Sequence, residues 1–89
     1  MALRQLEIVN QKGLHARASA KFVECVDRFD AQATVRKGGI DASGDSIMGL
    51  LMLAASIGST IEVETKGAEA DALAEALEAL VADRFGEDM

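Results

Sequence analysis

The sequence predicts an α+β fold in which a four-stranded antiparallel sheet is covered on one face by three helices. Two observations predict this open-faced two-layer sandwich. Four segments alternate apolar and polar residues, the period of a half-buried strand, and three others repeat apolar residues at helical spacing. The segments follow the order β-α-β-β-α-β-α. Because each alternating strand has one apolar face that needs a cover, the helices must pack on that face.

The N-terminal part of the chain predicts a strand, a loop and a helix. Apolar and polar residues alternate over roughly residues 3–9, and residues 10–13 have the composition of a loop. The first helix is expected over residues 16–28. Its apolar stripe consists of Phe22, Val23 and Val26, extended by Phe29.

Two short alternating segments, residues 33–36 and 40–42, flank the pair Gly38-Gly39 and predict a β-hairpin. A type I′ turn requires positive φ at both central residues, which glycine adopts without strain. The two glycines therefore indicate the position of the turn.

The C-terminal half predicts a short apolar helix, a strand and a longer helix. Ser46 precedes the short helix, expected over residues 47–55, and the last strand is expected over residues 60–65. Residues 70–85 repeat leucine and valine at helical spacing, with acidic residues at the start, where the helix dipole favours them. A frayed tail is expected over residues 86–89.

Length and charge restrict the class of protein. The 89 residues predict a single domain over residues 1–89, and nine basic against fifteen acidic residues give a net charge of −6. No basic stripe with aromatic residues is present, so nucleic acid is not an expected partner. No apolar run approaches the ~20 residues that cross a bilayer, and the N-terminus lacks a secretion signal. We therefore expect a cytoplasmic protein that does not insert into membranes, with the lone Cys25 as a small, partly buried apolar side chain.

His15 is the only histidine, and it directly precedes the first predicted helix. Taken alone, it could be a solvated loop residue or a helix cap. However, the first turn of a helix offers unpaired N–H groups and partial positive charge, so the backbone of Ala16 and Arg17 could bind a phosphoryl group on the ring. The Arg17 guanidinium could add paired hydrogen bonds. No second histidine or cysteine cluster is present, so neither a metal site nor a cofactor is expected.

A neutral imidazole is a nucleophile, and the phosphoramidate that it forms passes its phosphoryl group on readily. No further cluster of titratable residues accompanies His15 in the sequence, which disfavours an enzyme that acts on a free small molecule. We therefore expect a phosphoryl carrier with a transient phosphohistidine rather than a free-standing enzyme.

Ser46 is either a helix cap or a regulatory site, and the apolar helix after it is either part of the core or a partner surface. Serine is a favoured N-cap, which alone explains Ser46, but the residue could also be a regulatory phosphorylation site. The following helix is apolar nearly all round, although a helix that covers a sheet needs only a stripe. Its side chains could all enter the core, but we expect some to form a partner surface. The candidates are Ala20, Ile47, Met48 and Leu51.

Two motifs together resemble the HPr phosphocarriers of the bacterial phosphoenolpyruvate phosphotransferase system. Gly-Leu-His-Ala-Arg at residues 13–17 resembles the active-site signature of that family, and Ser-Ile-Met-Gly at residues 46–49 resembles its regulatory serine segment. The spacing of the motifs, the chain length and the predicted element order are also similar, so the resemblance covers essentially the whole chain.

The resemblance implies a mechanism and partners. Enzyme I, charged by phosphoenolpyruvate, would phosphorylate His15 at Nδ1, with Arg17 as the anion partner, and the group would pass to a histidine on a IIA-type domain that serves sugar transport. Ser46 would be the target of an ATP-dependent HPr kinase/phosphorylase. The carrier is expected to be a monomer.

The sequence departs from the family pattern after Arg17, where Ala18 replaces the usual proline. Proline suits a first helical turn because its φ is preset and its missing N–H costs nothing there. The change is similar to a nitrogen-related or alphaproteobacterial branch, often called NPr. One alternative is therefore a regulatory interaction protein of a nitrogen-type system, gated by phosphorylation and without sugar transport. A second alternative is an ancillary domain of a larger protein.

Overall fold

A computed structural model of the chain describes residues 1–88. The strands are β1 (Ala2–Glu7), β2 (Gln32–Lys37), β3 (Ile40–Ser43) and β4 (Thr60–Lys66). The helices are α1 (Ala16–Asp27), α2 (Ile47–Met52) and α3 (Ala70–Ala82), and a short 3-10 turn follows at Arg84–Gly86. The predicted α+β class and the order βαββαβα are confirmed.

The four strands form one antiparallel sheet in the order β1-β4-β2-β3. Leu6 of β1 lies opposite Ile61 of β4, and Val35 of β2 lies between Val63 of β4 and Ala42 of β3. All five side chains are buried. The apolar face that the alternation predicts is therefore the face that the helices cover.

The opposite face of the sheet carries a network of charged side chains. Arg36 Nη1 lies 3.1 Å from Glu62 Oε1 and 2.9 Å from Glu64 Oε1, and Lys66 Nζ lies 3.3 Å from Glu64 Oε2. Hydrogen bonds from Arg36 and then Lys66 lower the pKa of the Glu64 carboxyl. These polar residues occupy the alternate positions of the strands, which is why each strand has one apolar face only.

The helices bury their predicted stripes, and the hairpin has the predicted turn. Phe22 and Val26 of α1 and Leu73 and Leu77 of α3 are all buried, whereas other members of the stripes lie at the edge of the core. Those edge members are Val23, Phe29 and Leu80. The backbone at Gly38 and Gly39 has φ of +57° and +82°, so both residues of the turn adopt the left-handed conformation.

Helix α2 is shorter than predicted, because it ends at Met52 rather than at residue 55. Leu53 and Ala55 are buried, and Ala54 between them has φ of +51°. The Ala55 carbonyl thereby turns toward the loop between β1 and α1, where it accepts a hydrogen bond of 2.8 Å from the Leu14 N–H. A continued helix would have kept this carbonyl along its own axis.

Helix α3 also ends early, at Ala82, and the prediction of a helix through residue 85 is wrong there. Arg84, Phe85 and Gly86 all have positive φ, between 54° and 77°. The Phe85 ring is fully buried in the core. Left-handed backbone costs a non-glycine residue about 1–2 kcal/mol, and burying a phenylalanine gains about 1.5–3 kcal/mol. Burial of the ring therefore offsets much of the cost of this turn.

The turn directs the chain back onto the body of the protein. Lys21 Nζ donates a hydrogen bond of 2.6 Å to the Phe85 carbonyl, and the Glu87 side chain that follows is largely buried. The prediction of a frayed tail is therefore wrong for Gly86 and Glu87, while Met89 lies outside the described residues. No helix within residues 1–88 is both long and apolar enough to cross a membrane.

Two glycines provide a matched test of the loop before His15. A Cβ at Gly13, where φ is +68°, would lie 2.5 Å from the Ala55 carbonyl oxygen, whereas a Cβ at Gly38, where φ is +57°, meets nothing within 4 Å. Gly38→Ala should lower the free energy of unfolding by about 1 kcal/mol through backbone strain alone. Gly13→Ala should cost about 2 kcal/mol more, because the loop must also move. Equal losses in chemical denaturation would show that the loop is not tightly packed.

Candidate functional site

His15 is the N-cap residue of α1, with an extended backbone conformation at φ −79° and ψ −177°. Its ring turns toward the opening of the helix, where Nδ1 accepts a hydrogen bond of 3.3 Å from the Arg17 N–H. About a quarter of the side chain is exposed. The ring therefore caps the helix, as one interpretation of His15 predicts, and lies where the N–H groups of a helix opening can bind an anion.

The loop that precedes His15 is held at several points. Asn10 is fully buried, and its Nδ2 donates a hydrogen bond of 2.8 Å to the Gly13 carbonyl. Leu14 is buried, its N–H donates to Ala55, and its carbonyl accepts from the Ser19 hydroxyl at 3.3 Å. The positive φ of Gly13 lets the backbone pass close to Ala55. The position of His15 is thus set by packed backbone on both sides.

Ala16 and Arg17 are the first two residues of α1, so their N–H groups have no partner within the helix. The structure joins His15 and Arg17 through the Arg17 backbone N–H, while the guanidinium lines a cleft of about 530 Å³ together with Lys12 and Lys21. Among residues 1–88, no carboxylate lies within ion-pair distance of the Arg17 guanidinium. Glu87 and Asp88 line the same cleft, so three basic side chains there face two acidic ones.

Glu87 is a site residue that the sequence analysis missed. Its Oε2 is hydrogen-bonded to His15 Nε2, and its Oε1 accepts a hydrogen bond of 3.0 Å from Asn10 Nδ2. Burial of the carboxyl raises its pKa, but hydrogen bonds from His15 and Asn10, with the electrostatic influence of His15 and Lys12, outweigh burial and lower the pKa. The carboxyl is therefore ionised and bound to the ring near neutral pH.

No local pattern could have predicted the contact of Glu87 with the histidine, since the two residues are 72 positions apart in the chain. The only available signal was the pair Phe85-Gly86, a large apolar residue followed by glycine where the predicted helix 70–85 meets the predicted frayed tail. Such a residue needs burial, and its burial brings the next residues to the body of the protein.

Ser46 caps α2, as one of its two interpretations predicts. Its Oγ accepts a hydrogen bond of 3.0 Å from the Gly49 N–H, and the residue is half-buried. The capping contact is compatible with phosphorylation of Ser46, because a phosphate at a helix N-terminus can accept hydrogen bonds from the same backbone N–H groups.

Helix α2 exposes much of its apolar surface. Met48 is 70% exposed and Ile47 is 40% exposed, whereas Leu50 is fully buried and packs under the helix. Leu51, together with Ala20 of α1, is half-buried. The expected candidates therefore keep exposed surface, and Met52, also 70% exposed, was not among them. We call Ile47, Met48, Leu51 and Met52 the α2 patch.

Other candidate chemistry is weak in the part of the chain that the structure describes. Cys25 is buried within α1, and burial raises the pKa of its thiol against the lowering influence of Arg28, so the thiol is not activated. Within residues 1–88, no group of three or more His, Cys, Asp and Glu side chains is placed to hold a metal ion.

Comparison with known proteins gives three consistent results. Residues 3–83 match the family model described as PTS HPr component phosphorylation site. The chain is 46% identical to the phosphocarrier protein HPr of Cupriavidus necator over 87 residues, which are 98% of each chain. It is 45% identical to the phosphocarrier protein NPr of Shewanella violacea over 84 residues, 94% of this chain and 92% of that protein.

The fold agrees with these matches. A crystal structure of HPr from Thermoanaerobacter tengcongensis superimposes with a TM-score of 0.94 at 34% identity and covers 100% of both chains. The sheet order, the helix that begins after the histidine and the whole-length sequence match therefore lead to one assignment: the chain belongs to the HPr family of the phosphotransferase system.

Proposed function

We propose that this protein accepts a phosphoryl group on His15 Nδ1 from phosphorylated enzyme I and passes it to a histidine of a IIA-type domain. One observation carries the proposal: Nδ1 lies at the opening of α1, 3.3 Å from the Arg17 N–H. The donor that now binds the nitrogen lone pair is correctly placed to bind an oxygen of a phosphoryl group attached to the same nitrogen.

The chemistry needs few groups. The lone pair on Nδ1 attacks phosphorus, the new N–P bond forms as the N–P bond to the donor histidine breaks, and that electron pair returns to the donor ring. In the second transfer a histidine nitrogen of the IIA-type domain attacks the same phosphorus, and the electron pair of the broken N–P bond returns to His15 Nδ1. The N–H groups of Ala16 and Arg17 and the Arg17 guanidinium offset the charge of the phosphoryl oxygens in both steps.

The partly exposed position of His15 suits transfer between proteins. A deep pocket would exclude the partner histidine, which must come into line with the N–P bond. We infer that the α2 patch and Ala20 supply the docking surface, because exposed apolar side chains beside a reactive group favour protein contact and methionine adapts to several partners. Enzyme I and IIA domains would then bind the same surface in turn.

Ser46 is proposed as the regulatory site, with an HPr kinase/phosphorylase as its modifying enzyme. The half-buried hydroxyl adjoins the exposed Ile47 and Met48. Phosphorylation would add a charge of roughly −1.5 to −2 at the rim of an apolar surface. A partner that docks there must remove water from that charge, so its affinity would fall.

A second candidate function is regulation through binding in a nitrogen-type system, without sugar transport. Ala18 after Arg17 favours it, and the chain is nearly as similar to an NPr protein, at 45% identity, as it is to an HPr protein, at 46%. Both candidates share the phosphohistidine and differ in whether the group moves on to an acceptor. We propose a monomer in the cytoplasm in either case, where the free Cys25 stays a thiol.

Replacement of His15 tests the phosphorylation site. His15→Ala removes the nucleophile, and His15→Asn keeps a favoured N-cap side chain without an imidazole. Both variants should lose all acid-labile label when they are incubated with enzyme I and labelled phosphoenolpyruvate, while circular dichroism shows an intact fold for His15→Asn. Label that persists on either variant would place the site on another residue.

The fate of the label separates the two candidate functions. Wild-type protein labelled by enzyme I is mixed with a IIA domain, and a phosphocarrier should transfer the label within the time of one enzyme I turnover. Label that stays on His15 with every IIA domain of the same organism would favour the regulatory function.

Ser46→Asp tests regulation through the α2 patch, and Ser46→Asn is its matched control. Both side chains keep the N-cap, but only aspartate adds a charge. Ser46→Asp should raise the KM of enzyme I for this protein by up to about tenfold, equivalent to about 1.4 kcal/mol, while Ser46→Asn should leave it near the wild-type value. Equal values for the two variants would mean that enzyme I does not dock beside Ser46.

A further inference from the structure

We propose that Glu87 is a positioning residue that holds the proton of His15 on Nε2 and so leaves the lone pair on Nδ1, with Asn10 and the turn Arg84–Gly86 holding Glu87 in place. This inference rests on the proposed function, because it concerns how the carrier histidine is prepared for transfer. The inference adds to the site of His15 and Arg17 a carboxylate from the C-terminal segment, 72 positions from His15 in the sequence.

The two contacts of the imidazole ring require the same tautomer. A neutral imidazole has one N–H donor and one acceptor nitrogen. An ionised carboxylate can only accept, so Nε2 must carry the proton that binds Glu87 Oε2. A backbone N–H can only donate, so Nδ1 must be the acceptor for Arg17. Two independent neighbours thus select the form in which Nδ1 is the nucleophile.

Asn10 keeps the Glu87 carboxylate at the correct angle. Its Nδ2 donates both to Glu87 Oε1, at 3.0 Å, and to the Gly13 carbonyl, at 2.8 Å. A flipped amide would turn its oxygen toward two acceptors, so only one orientation is compatible with these neighbours. Since Asn10 is fully buried, it cannot swing away into solvent. The chain Asn10–Glu87–His15 is therefore a connected hydrogen-bonded unit.

The backbone before Glu87 is anchored as well. The Phe85 ring is fully buried, and its carbonyl accepts a hydrogen bond of 2.6 Å from Lys21 Nζ on α1. Gly86, with φ of +77°, then reverses the chain and brings Glu87 to the histidine. About 16% of the Glu87 side chain remains exposed. These contacts order the segment without any partner protein.

The carboxylate would assist both transfer steps without moving a proton. When phosphorus bonds to Nδ1, the ring becomes cationic, because Nε2 keeps its hydrogen, and the negative charge of Glu87 stabilises that cation. When the N–P bond breaks, its electron pair returns to Nδ1 and the ring leaves as neutral imidazole with the Nε2–H still in place. A neutral leaving group departs more readily than an anionic one.

The first measurement uses the free protein and needs no partner. In 15N NMR spectra of the neutral imidazole, wild-type protein should show Nε2 protonated and Nδ1 unprotonated, with the alternative tautomer undetectable. Glu87→Gln should make the alternative tautomer measurable, because an amide can donate as well as accept. Glu87→Asp should restore the wild-type pattern at least in part, and Glu75→Gln, on the exposed face of α3, should match wild type. An unchanged tautomer in Glu87→Gln would overturn the proposal.

The second measurement follows single-turnover transfer from phosphorylated His15 to a IIA domain. Glu87→Gln should lower the maximal rate constant about three- to tenfold with little change in the IIA concentration that gives half of it, while Glu75→Gln transfers at the wild-type rate. An equal loss in both variants would reveal an effect of net charge and would overturn the proposal. The NMR result does not depend on phosphorylation. A failure of the proposed carrier function, which label persisting on His15→Asn would show, is therefore distinguishable from a failure of Glu87 to select the tautomer.

Discussion

The amide groups at the opening of α1 are the constraint on which the rest of the site depends. They have no helical partners, so something outside the helix must satisfy them. In this protein the His15 ring does so through Nδ1, with the Arg17 N–H as donor. The nitrogen that caps the helix is thus also the proposed phosphoryl acceptor, and the loop, the α2 connection and the C-terminal turn all contribute to holding that atom in place.

Most of the fold could be predicted from the sequence because its signals are local. Alternation places Leu6, Val35 and Ile61 on the buried face of the sheet, and helical spacing places Phe22 and Leu77 against them. Each signal repeats over a whole element, so an error at one residue does not change the type of element. The Gly38-Gly39 turn is equally local, since positive φ is a property of two adjacent residues.

The ends of α2 and α3 could not be predicted because they depend on tertiary contacts. The apolar segment 53–55 does not reveal that the Ala55 carbonyl must meet Leu14, and the helical spacing up to Phe85 does not reveal that its ring enters the core from a turn after the helix. The same limit applies within the candidate site. His15 and Arg17 are found from their place before and within one helix, but Glu87 reaches them only through the folded chain.

The turn after α3 also sets a spacing that the chain cannot easily change. Phe85 is seated in the core on one side and Glu87 on the histidine on the other, with the single residue Gly86 between them. One inserted residue would move the carboxylate by the length of a peptide unit, about 3.8 Å between successive Cα atoms, and turn it into solvent. Under the proposed positioning role, this segment is restricted in length as well as in composition, because an insertion separates the ring in the core from the carboxylate at the histidine even when all three residues are kept.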